Sequence, residues 1–198
     1  MLQQNDDPYP GIALLLAKKT QGKKVELPVQ VIPSRFGKAV IATRAIMAGE
    51  LILQFRGRLY DIDTYKKKVK SHKNYFLQVD RSLFLGPTRS PDNYVNHSCE
   101  PNGGLIKLKR NLYLKALRPI EQGEEVTFDY STSMSEDFWE MDCCCGAPTC
   151  RGRIRDFRHL PVELQQKYLQ LNAVPSFILE NLLNSQNVIL SSDDPSIH

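Results

Sequence analysis

No stretch of this 198-residue sequence stays apolar for the ~20 residues that a membrane-spanning helix needs. The longest apolar run near the amino terminus covers residues 12–17 and follows two aspartates rather than a basic segment, so we expect no signal peptide. Without a secretion signal, the five cysteines are expected to be reduced thiols rather than disulfides. We therefore predict an intracellular protein, nuclear in a eukaryotic or host-targeted setting and cytoplasmic otherwise.

The sequence also lacks a strong charge of either sign. Its 26 basic and 22 acidic residues leave a net charge of +4, which does not by itself indicate a nucleic-acid partner. Lysines cluster at residues 18–24 and 66–70. A solvated face is the simpler interpretation of these clusters, and the alternative for the second is a nuclear-import signal or a contact with an acidic partner.

The sequence has no H-x-E motif with P-C-x-x-C, and it has no C-x2-C pairs, which would be a signal for a zinc-stabilised nucleic-acid binder. The first absence bears on zinc deaminases and hydrolases, and it argues against either activity. A small zinc-stabilised nucleic-acid binder stays open as a weaker alternative, since the lysine clusters permit it and no RNA-binding aromatic motif supports it.

What the sequence does contain is a series of short segments with period-two hydrophobicity and closely spaced turn residues. The pattern predicts a mainly β domain made of small sheets, with a strand over residues 25–31 at an edge because of Pro28. A polar, lysine-rich segment at residues 60–72 is predicted to be a surface helix. From Leu160 onward the period becomes helical, with Pro161 in a first turn and Ser176 as the N-cap of a second helix. These helices are expected to pack against the domain, and a partner-binding groove is the alternative.

One strand-turn-strand pattern occurs twice. The spacing A-x-R-x-I-x-x-G-E begins at Ala42 and again at Ala116. Two copies do not make a repeat protein, and shared turn chemistry is sufficient to explain them.

The cysteines give the strongest local signal. Cys143, Cys145 and Cys150 lie close together beside Gly146 and Pro148. A structural zinc ion takes four ligands in a tetrahedron, so a fourth must come from elsewhere. Cys99 is the cysteine outside this group, and His97 is the rival ligand. Cys144 is expected to point away from the metal.

Two further motifs point to a family. N-H-S-C-E-P-N at residues 96–102 and G-E-E-V-T-F-D-Y at residues 123–130 resemble the SET-domain protein-lysine methyltransferases. C-C-C-G-x3-C-R at residues 143–151 resembles the post-SET zinc motif that follows in many members. The resemblance runs from about Val25 to Arg153, with the motifs in the family's order.

The resemblance implies a SET fold, in which small β-sheets surround a pseudoknot. It also implies S-adenosylmethionine as the cofactor. A structural zinc ion is implied as well, held by Cys99, Cys143, Cys145 and Cys150. It divides the chain into a leader (1–24), a SET domain (25–135), a post-SET zinc segment (136–156), a C-terminal helical extension (157–190) and a disordered tail (191–198). The implied partner is a protein that carries the target lysine, possibly a histone tail, with no membrane and no main role in nucleic-acid binding.

Carried over by motif, Tyr130 is the catalytic tyrosine. The implied cofactor contacts are Phe36, Lys38, Tyr75, Asn96 and His97. Phe128, Tyr75 and Trp139 are expected at the substrate channel, although Trp139 could instead anchor the zinc segment. Phenylalanine at position 128 favours di- or trimethylation in the family, and a strand core position is the alternative for this residue.

The chemistry agrees with these residue types. A lysine amine must be neutral to attack a sulfonium methyl, and a dry aromatic channel beside a cationic cofactor disfavours the ammonium form. Two positions depart from the family pattern. Ala39 replaces the second glycine of a G-x-G loop, and Asn93 stands where arginine is common. These departures leave a catalytically silent protein-binding module as an alternative to the enzyme, against which the intact Tyr130 counts.

Overall fold

The computed structural model describes residues 26–69, 75–87 and 89–183, and within them it has twelve short strands and three α-helices. The strands are β1 (Val29–Ser34), β2 (Gly37–Ala42), β3 (Leu51–Phe55), β4 (Arg58–Asp61), β5 (Leu77–Asp80), β6 (Leu83–Gly86), β7 (Asn96–His97), β8 (Gly103–Leu108), β9 (Asn111–Ala116), β10 (Thr127–Phe128), β11 (Met141–Asp142) and β12 (Arg153–Ile154). The helices are α1 (Ile62–Lys68), α2 (Val162–Gln170) and α3 (176–183). The expected mainly β architecture with a few helices is confirmed.

The strands form four small sheets. A five-stranded sheet has the order β3-β9-β8-β10-β7, and β4-β6-β5, β1-β2 and β11-β12 form the others. None of the helices in the described ranges is long and apolar enough to cross a membrane. The leader at 1–24, Lys70 of the lysine cluster and the tail at 191–198 lie outside the described residues.

Several predicted boundaries were wrong. The first strand begins only after Pro28 and runs to Ser34. The helix expected over residues 60–72 begins at Ile62, because Asp61 ends a strand and caps the helix by accepting a hydrogen bond from the backbone N–H of Thr64 at 2.8 Å. Pro161 is the N-cap of α2 rather than a first-turn residue, and the α3 helix already includes Ser176. Such shifts of a residue or two are typical of helix ends.

The repeated strand-turn-strand pattern builds an internal pseudo-twofold. In each copy the arginine binds its glutamate at 2.5 Å, Arg44 to Glu50 and Arg118 to Glu124. The two copies also pair with each other through a bridge between Ile46 and Ile120. The pairing is reciprocal, since the glycine N–H of each copy donates to the carbonyl of the other copy's leading alanine at 2.8 Å. The pattern is therefore more than turn chemistry, because each turn is the partner of the other.

The main core lies between the β1-β2 ribbon and the five-stranded sheet. Its most deeply buried members are Val40, Ile52, Leu105, Leu114 and Val126, all at most 1% exposed. Aliphatic side chains of this kind each stabilise the fold by roughly 1.5–3 kcal/mol when fully buried. The core therefore supplies a rigid support for the short strand β10, which begins directly after Val126.

Strand β10 is enclosed by a segment from earlier in the chain. The consecutive strands β7 and β8 pair in parallel with its two sides, Asn96 opposite Thr127 and Gly103 opposite Phe128. The buried side chain of Asn102, between β7 and β8, accepts from the Thr127 N–H at 2.9 Å and donates to the Glu125 carbonyl at 2.8 Å. The chain thus passes through a closed crossing, which corresponds to the expected pseudoknot.

The C-terminal helical extension packs against strands β8 and β9 in the middle of this sheet. Its buried residues form one apolar cluster that includes Phe157, Tyr168 and Phe177. Strand β8 carries glycine at position 104, where a Cβ atom would lie 2.6 Å from the Cβ of Ala173. Glycine therefore permits the close contact between the sheet and the helical extension.

Candidate active site

A cleft of about 870 Å³ opens between the pseudoknot, the β2 turn and the cysteine-rich segment. Most of the predicted site residues line it. They are Phe36, Lys38, Tyr75, Asn96, His97, Phe128, Tyr130, Trp139, Cys143 and Cys145. Cys99 and Cys150 belong to the sulfur cluster beside the cleft. The fold thus brings together residues that are more than 100 positions apart, in a volume that suits a cofactor or drug-sized ligand.

Aromatic side chains form one wall. The rings of Phe128 and Tyr130 lie 4.9 Å apart, and Phe55 packs edge-on against Phe128 at 5.8 Å. The Tyr130 hydroxyl donates a hydrogen bond to the carbonyl of Val95 at 3.0 Å. Burial raises the pKa of this hydroxyl, so it stays protonated at neutral pH. The wall can hold a polar group in place through Tyr130, and it offers no strong base.

The amide nitrogen of Asn96 and both ring nitrogens of His97 have partners within the protein. The Asn96 amide donates to the Lys38 carbonyl at 3.0 Å and to the Glu125 carboxylate at 2.8 Å. The Nδ1 atom of His97 accepts from the Tyr130 N–H at 3.1 Å. These bonds connect β7 of the pseudoknot to Lys38, Glu125 and Tyr130. They therefore fix the backbone that lines the cleft.

Burial lowers the pKa of His97 to about 4, so its ring is neutral at physiological pH. A neutral ring that accepts at Nδ1 carries its proton on Nε2. The Nε2 atom lies 3.3 Å from the Cys99 sulfur, to which it can donate. His97 is therefore arranged to support a sulfur ligand. The ligand atoms of His97, Cys99, Cys143 and Cys145 also lie within 4.8 Å of one another, so His97 stays a rival to Cys150 as the fourth metal ligand.

Two exposed aromatic residues lie at the rim of the cleft. Phe36 and Tyr75 are 47% and 45% exposed, although both line the cavity. Lys38 holds its ammonium group 4.5 Å from the ring centre of Tyr94, which also lines the cleft. The rim therefore combines apolar surface with the positive charge of Lys38.

Two buried polar atoms in the wall have no hydrogen-bond partner among the described residues. They are the acceptor Oδ1 of Asn93 and the donor Nε1 of Trp139. Unsatisfied buried groups are rare and costly in a native protein. A ligand with both donor and acceptor groups would satisfy them.

The departure at Ala39 has a structural explanation. Gly37 has a φ of 95°, which favours glycine, whereas Ala39 is an ordinary buried strand residue opposite Ile32. A methyl group at position 39 fits the sheet and leaves the turn unchanged.

The sulfur atoms of the cysteine cluster have the spacing of a tetrahedral metal site. The Cys143 sulfur lies 3.8 Å from that of Cys99 and 3.6 Å from that of Cys150. Zinc–sulfur bonds of about 2.3 Å place the ligand atoms of a tetrahedron about 3.8 Å apart. Cys145 joins the group, with its sulfur 3.5 Å from the Cys99 backbone nitrogen.

The ionisation of these thiols is set by their surroundings. Burial raises the pKa of Cys99 to about 11. Burial also opposes ionisation of Cys145, but N–H groups of Cys99 and Ala147 donate to its sulfur and bring its pKa to about 7. Cysteine binds zinc as the thiolate, so metal binding here would release protons. Cys144 is exposed, as expected, although it also borders the cleft.

Sequence reasoning missed a buried ion pair behind the aromatic wall. The Asp129 carboxylate, whose side chain is fully buried, accepts from the Arg151 guanidinium at 2.7 Å. The backbone N–H of Arg151 donates to the Cys99 sulfur at 3.4 Å. One residue thus connects the sulfur cluster to the segment that carries Tyr130. The available sequence signal for this role of Arg151 was its position directly after Cys150.

Comparison with known proteins agrees with this geometry. Residues 37–131 match the family model of the SET domain. This chain contains a SET domain. The matched residues include the pseudoknot with Cys99, both copies of the repeated pattern and Tyr130, whereas Cys143, Cys145, Cys150 and the C-terminal helices lie beyond them.

Several curated relatives are histone-lysine methyltransferases. The SET-domain chain is 30% identical over 147 residues to the H3 lysine-36-specific histone-lysine N-methyltransferase of Yarrowia lipolytica, covering 68% of this chain and 19% of that protein. It is 28% identical to histone-lysine N-methyltransferase ASHH3 of Arabidopsis thaliana, covering 69% of this chain and 40% of the relative. It thus spans less than half of either relative.

Solved structures share the fold. The methyltransferase domain of human histone-lysine N-methyltransferase SETMAR matches with a TM-score of 0.56 at 21% identity, over 68% of this chain and 60% of that one. KRYPTONITE, solved with mCHH DNA, an H3(1–15) peptide and SAH, matches with a TM-score of 0.53 at 23% identity, over 69% and 31%. The SET fold is therefore shared at low sequence identity.

Proposed function

We propose that this SET-domain chain is a protein-lysine N-methyltransferase that moves a methyl group from S-adenosylmethionine to the side-chain amine of a lysine. The observation that carries the proposal is the cleft, in which Tyr130 and Phe128 of the pseudoknot meet Asn96, His97 and the cysteine-rich segment. The similarity to several histone-lysine methyltransferases supports a histone as the substrate class.

The cleft has the properties that a cofactor of this kind requires. Its volume suffices, and the unpaired Asn93 acceptor and Trp139 donor match a ligand with ammonium and carboxylate groups. When bound, S-adenosylmethionine supplies an electrophilic methyl group on a sulfonium. Because the Asn96 and His97 side chains are already hydrogen-bonded, we assign their cofactor contacts to backbone atoms. Phe36, Lys38 and Tyr75 would cover the cofactor from the rim.

The residues of the wall can perform three tasks for the acceptor lysine. The aromatic surface of Phe128 and Tyr130 excludes water, which disfavours the ammonium form of the lysine. The protonated Tyr130 hydroxyl, fixed by the Val95 carbonyl, can orient the amine in line with the methyl. Phe128 places no hydroxyl beside the nitrogen, which leaves room for methyl groups and favours di- or trimethylation. Trp139 and Tyr75 would border the channel.

The zinc site would be structural. Thiolates from Cys99, Cys143, Cys145 and Cys150 would hold the ion as four ligands and would leave no open position for substrate. Such a site connects the pseudoknot to the segment that forms one side of the cleft. Zinc removal should therefore weaken cofactor binding without any chemical role for the metal.

A nuclear location fits the relatives, since histones are nuclear substrates. Lys66, Lys67 and Lys68 occupy the last turn of α1, where they are compatible with a solvated face or an import signal. Direct nucleic-acid binding is not proposed as the main role.

Two measurements test the proposal in sequence. Calorimetric titration of the zinc-loaded protein with S-adenosylmethionine separates a SET methyltransferase or silent SET module from a nucleic-acid binder. Labelled methyl transfer to core histones then separates the enzyme from the silent module. We expect binding and transfer by the wild type.

The variant Tyr130→Phe should retain cofactor binding and lose most of the transfer. Tyr113→Phe, at a half-buried tyrosine of β9, is the matched control and should transfer at the wild-type rate. Cofactor binding without transfer to histones or to proteins of a cell lysate would favour the silent module. No cofactor binding at all would refute the proposal.

A further inference from the structure

Tyr168 is a buried tyrosine of α2 whose hydroxyl reaches the active-site wall. Its side chain is 2% exposed and packs in the C-terminal apolar cluster. The hydroxyl donates a hydrogen bond to Oδ2 of Asp129 at 2.9 Å. This contact joins residues 39 positions apart, and Tyr168 lies well beyond residue 131, where the match to the SET family model ends.

The Asp129 carboxylate depends on this bond. Its Oδ1 atom accepts from Arg151 at 2.7 Å and from the Ser131 N–H at 3.1 Å. Within the described residues, Tyr168 provides the one hydrogen bond to Oδ2. A fully buried carboxylate needs such partners, since leaving an oxygen unsatisfied costs about 1–3 kcal/mol or more.

Asp129 stands between the two residues that form the aromatic wall. Phe128 precedes it and Tyr130 follows it. Its Oδ1 atom lies 3.6 Å from Nδ1 of His97, the atom that accepts from the Tyr130 N–H. Its carbonyl accepts from the Thr132 N–H and hydroxyl at 2.9 and 2.7 Å, which starts the turn after Tyr130. The position of Asp129 is therefore coupled to the backbone on both sides of Tyr130.

We infer that Tyr168 is a positioning residue for the methyl transfer, and that the C-terminal helix completes the active site instead of only packing against it. The inference rests on the proposed function. Tyr168 and Arg151 hold Asp129 from opposite sides, one from the helical extension and one from the cysteine-rich segment. The pair sets the direction of the Tyr130 hydroxyl relative to the reacting atoms.

The test is the variant Tyr168→Phe, which removes one oxygen and keeps the ring that packs in the cluster. We expect kcat to fall about 10-fold per folded molecule, because small displacements of an orienting group are costly. The dissociation constant for S-adenosylmethionine should stay within about two-fold, since Tyr168 does not line the cleft. The ratio of mono- to dimethylated product should also change, and a purely structural role would not move it.

Tyr65→Phe is the matched control. Tyr65 is also fully buried, and its hydroxyl also binds a carboxylate, Glu136, at 3.1 Å. Tyr65→Phe should lower thermal stability by about as much as Tyr168→Phe does, and it should leave kcat within about two-fold of the wild-type value. Equal kcat values for the two variants would overturn the inference.

A double-mutant cycle of Tyr168 and Asp129 provides a second test of the inference. If Tyr168 acts through Asp129, the double variant Asp129→Asn with Tyr168→Phe should be no slower than Asp129→Asn alone. If the kcat losses of the two single variants multiply in the double variant, the inference is overturned. The cycle also remains informative if one single variant folds poorly. A wild type that transfers no methyl would refute the proposed function and this inference together. An active wild type with an unaffected Tyr168→Phe would refute only the inference.

Discussion

Replacing Asn102 by alanine should destabilise the protein strongly, because one amide holds the pseudoknot closed. Asn102 is 2% exposed and makes three hydrogen bonds: from the Thr127 N–H at 2.9 Å, to the Glu125 carbonyl at 2.8 Å and to the Glu124 carboxylate at 3.0 Å. Each bond contributes about 1 kcal/mol net, and the Thr127 N–H and the Glu125 carbonyl would lose this partner. We expect the free energy of unfolding to fall by about 3 kcal/mol.

Urea denaturation at a fixed zinc concentration measures this loss. Trp139 is the single tryptophan in the chain and lies beside the cleft, so its fluorescence reports the region concerned. With a denaturant slope of about 2 kcal/mol per molar, the midpoint should fall by about 1.5 M. The slope itself should be unchanged if the variant folds to the same state.

Asn111→Ala is the control for an asparagine at the surface. Asn111 is exposed and accepts one hydrogen bond, from the Gln54 side chain at 3.1 Å. Its loss should cost less than about 0.5 kcal/mol. Equal effects of the two variants, or a cost below about 1 kcal/mol for Asn102→Ala, would refute the reasoning about the pseudoknot.

Three further outcomes follow from the site. Zinc analysis should find one metal per chain in Cys144→Ser and none in Cys145→Ser; retention of metal by the second variant would exclude that ligand. Phe128→Tyr should shift products toward monomethyl lysine in a mass spectrum, and an unchanged product ratio would remove Phe128 from the channel. Burial, with Asp156 nearby, raises the pKa of Glu136 from its ordinary 4.5 to about 7. The folded state thus keeps a proton that the unfolded state loses, so the free energy of unfolding should fall as pH rises from about 4.5 to 7. Glu136→Gln should flatten that slope in urea titrations, and an unaltered slope would contradict the assignment.

The features that the sequence predicts depend on residues that lie close together along the chain. Period-two segments gave most strands, and the grouping of Cys143, Cys145 and Cys150 indicated one metal site. The motifs at 96–102 and 123–130 placed Tyr130 and Phe128 in the same cleft as His97. The roles of these residues in binding and catalysis stay predictions.

The remaining features depend on contacts between distant segments, which no local pattern encodes. Asn102 looked like a turn residue, because its partners Glu124, Glu125 and Thr127 lie more than 20 positions away. In the sequence, Tyr168 occupies the apolar face of a predicted helix. Only the fold places its hydroxyl at Asp129. The predicted helix over residues 60–72 includes Tyr60 and Asp61, which belong to β4, because the pairing of β4 with β6 joins segments more than 20 positions apart.

The most direct test of the central claim is the site and number of methyl groups on a substrate protein. Zinc-loaded wild-type protein and Tyr130→Phe would be incubated with deuterated S-adenosylmethionine and histone H3 in nucleosomes, and the products analysed by tandem mass spectrometry. The account predicts labelled di- or trimethyl groups on a lysine side chain with the wild type and little label with the variant. Label on another residue type, or equal label with both proteins, would contradict it.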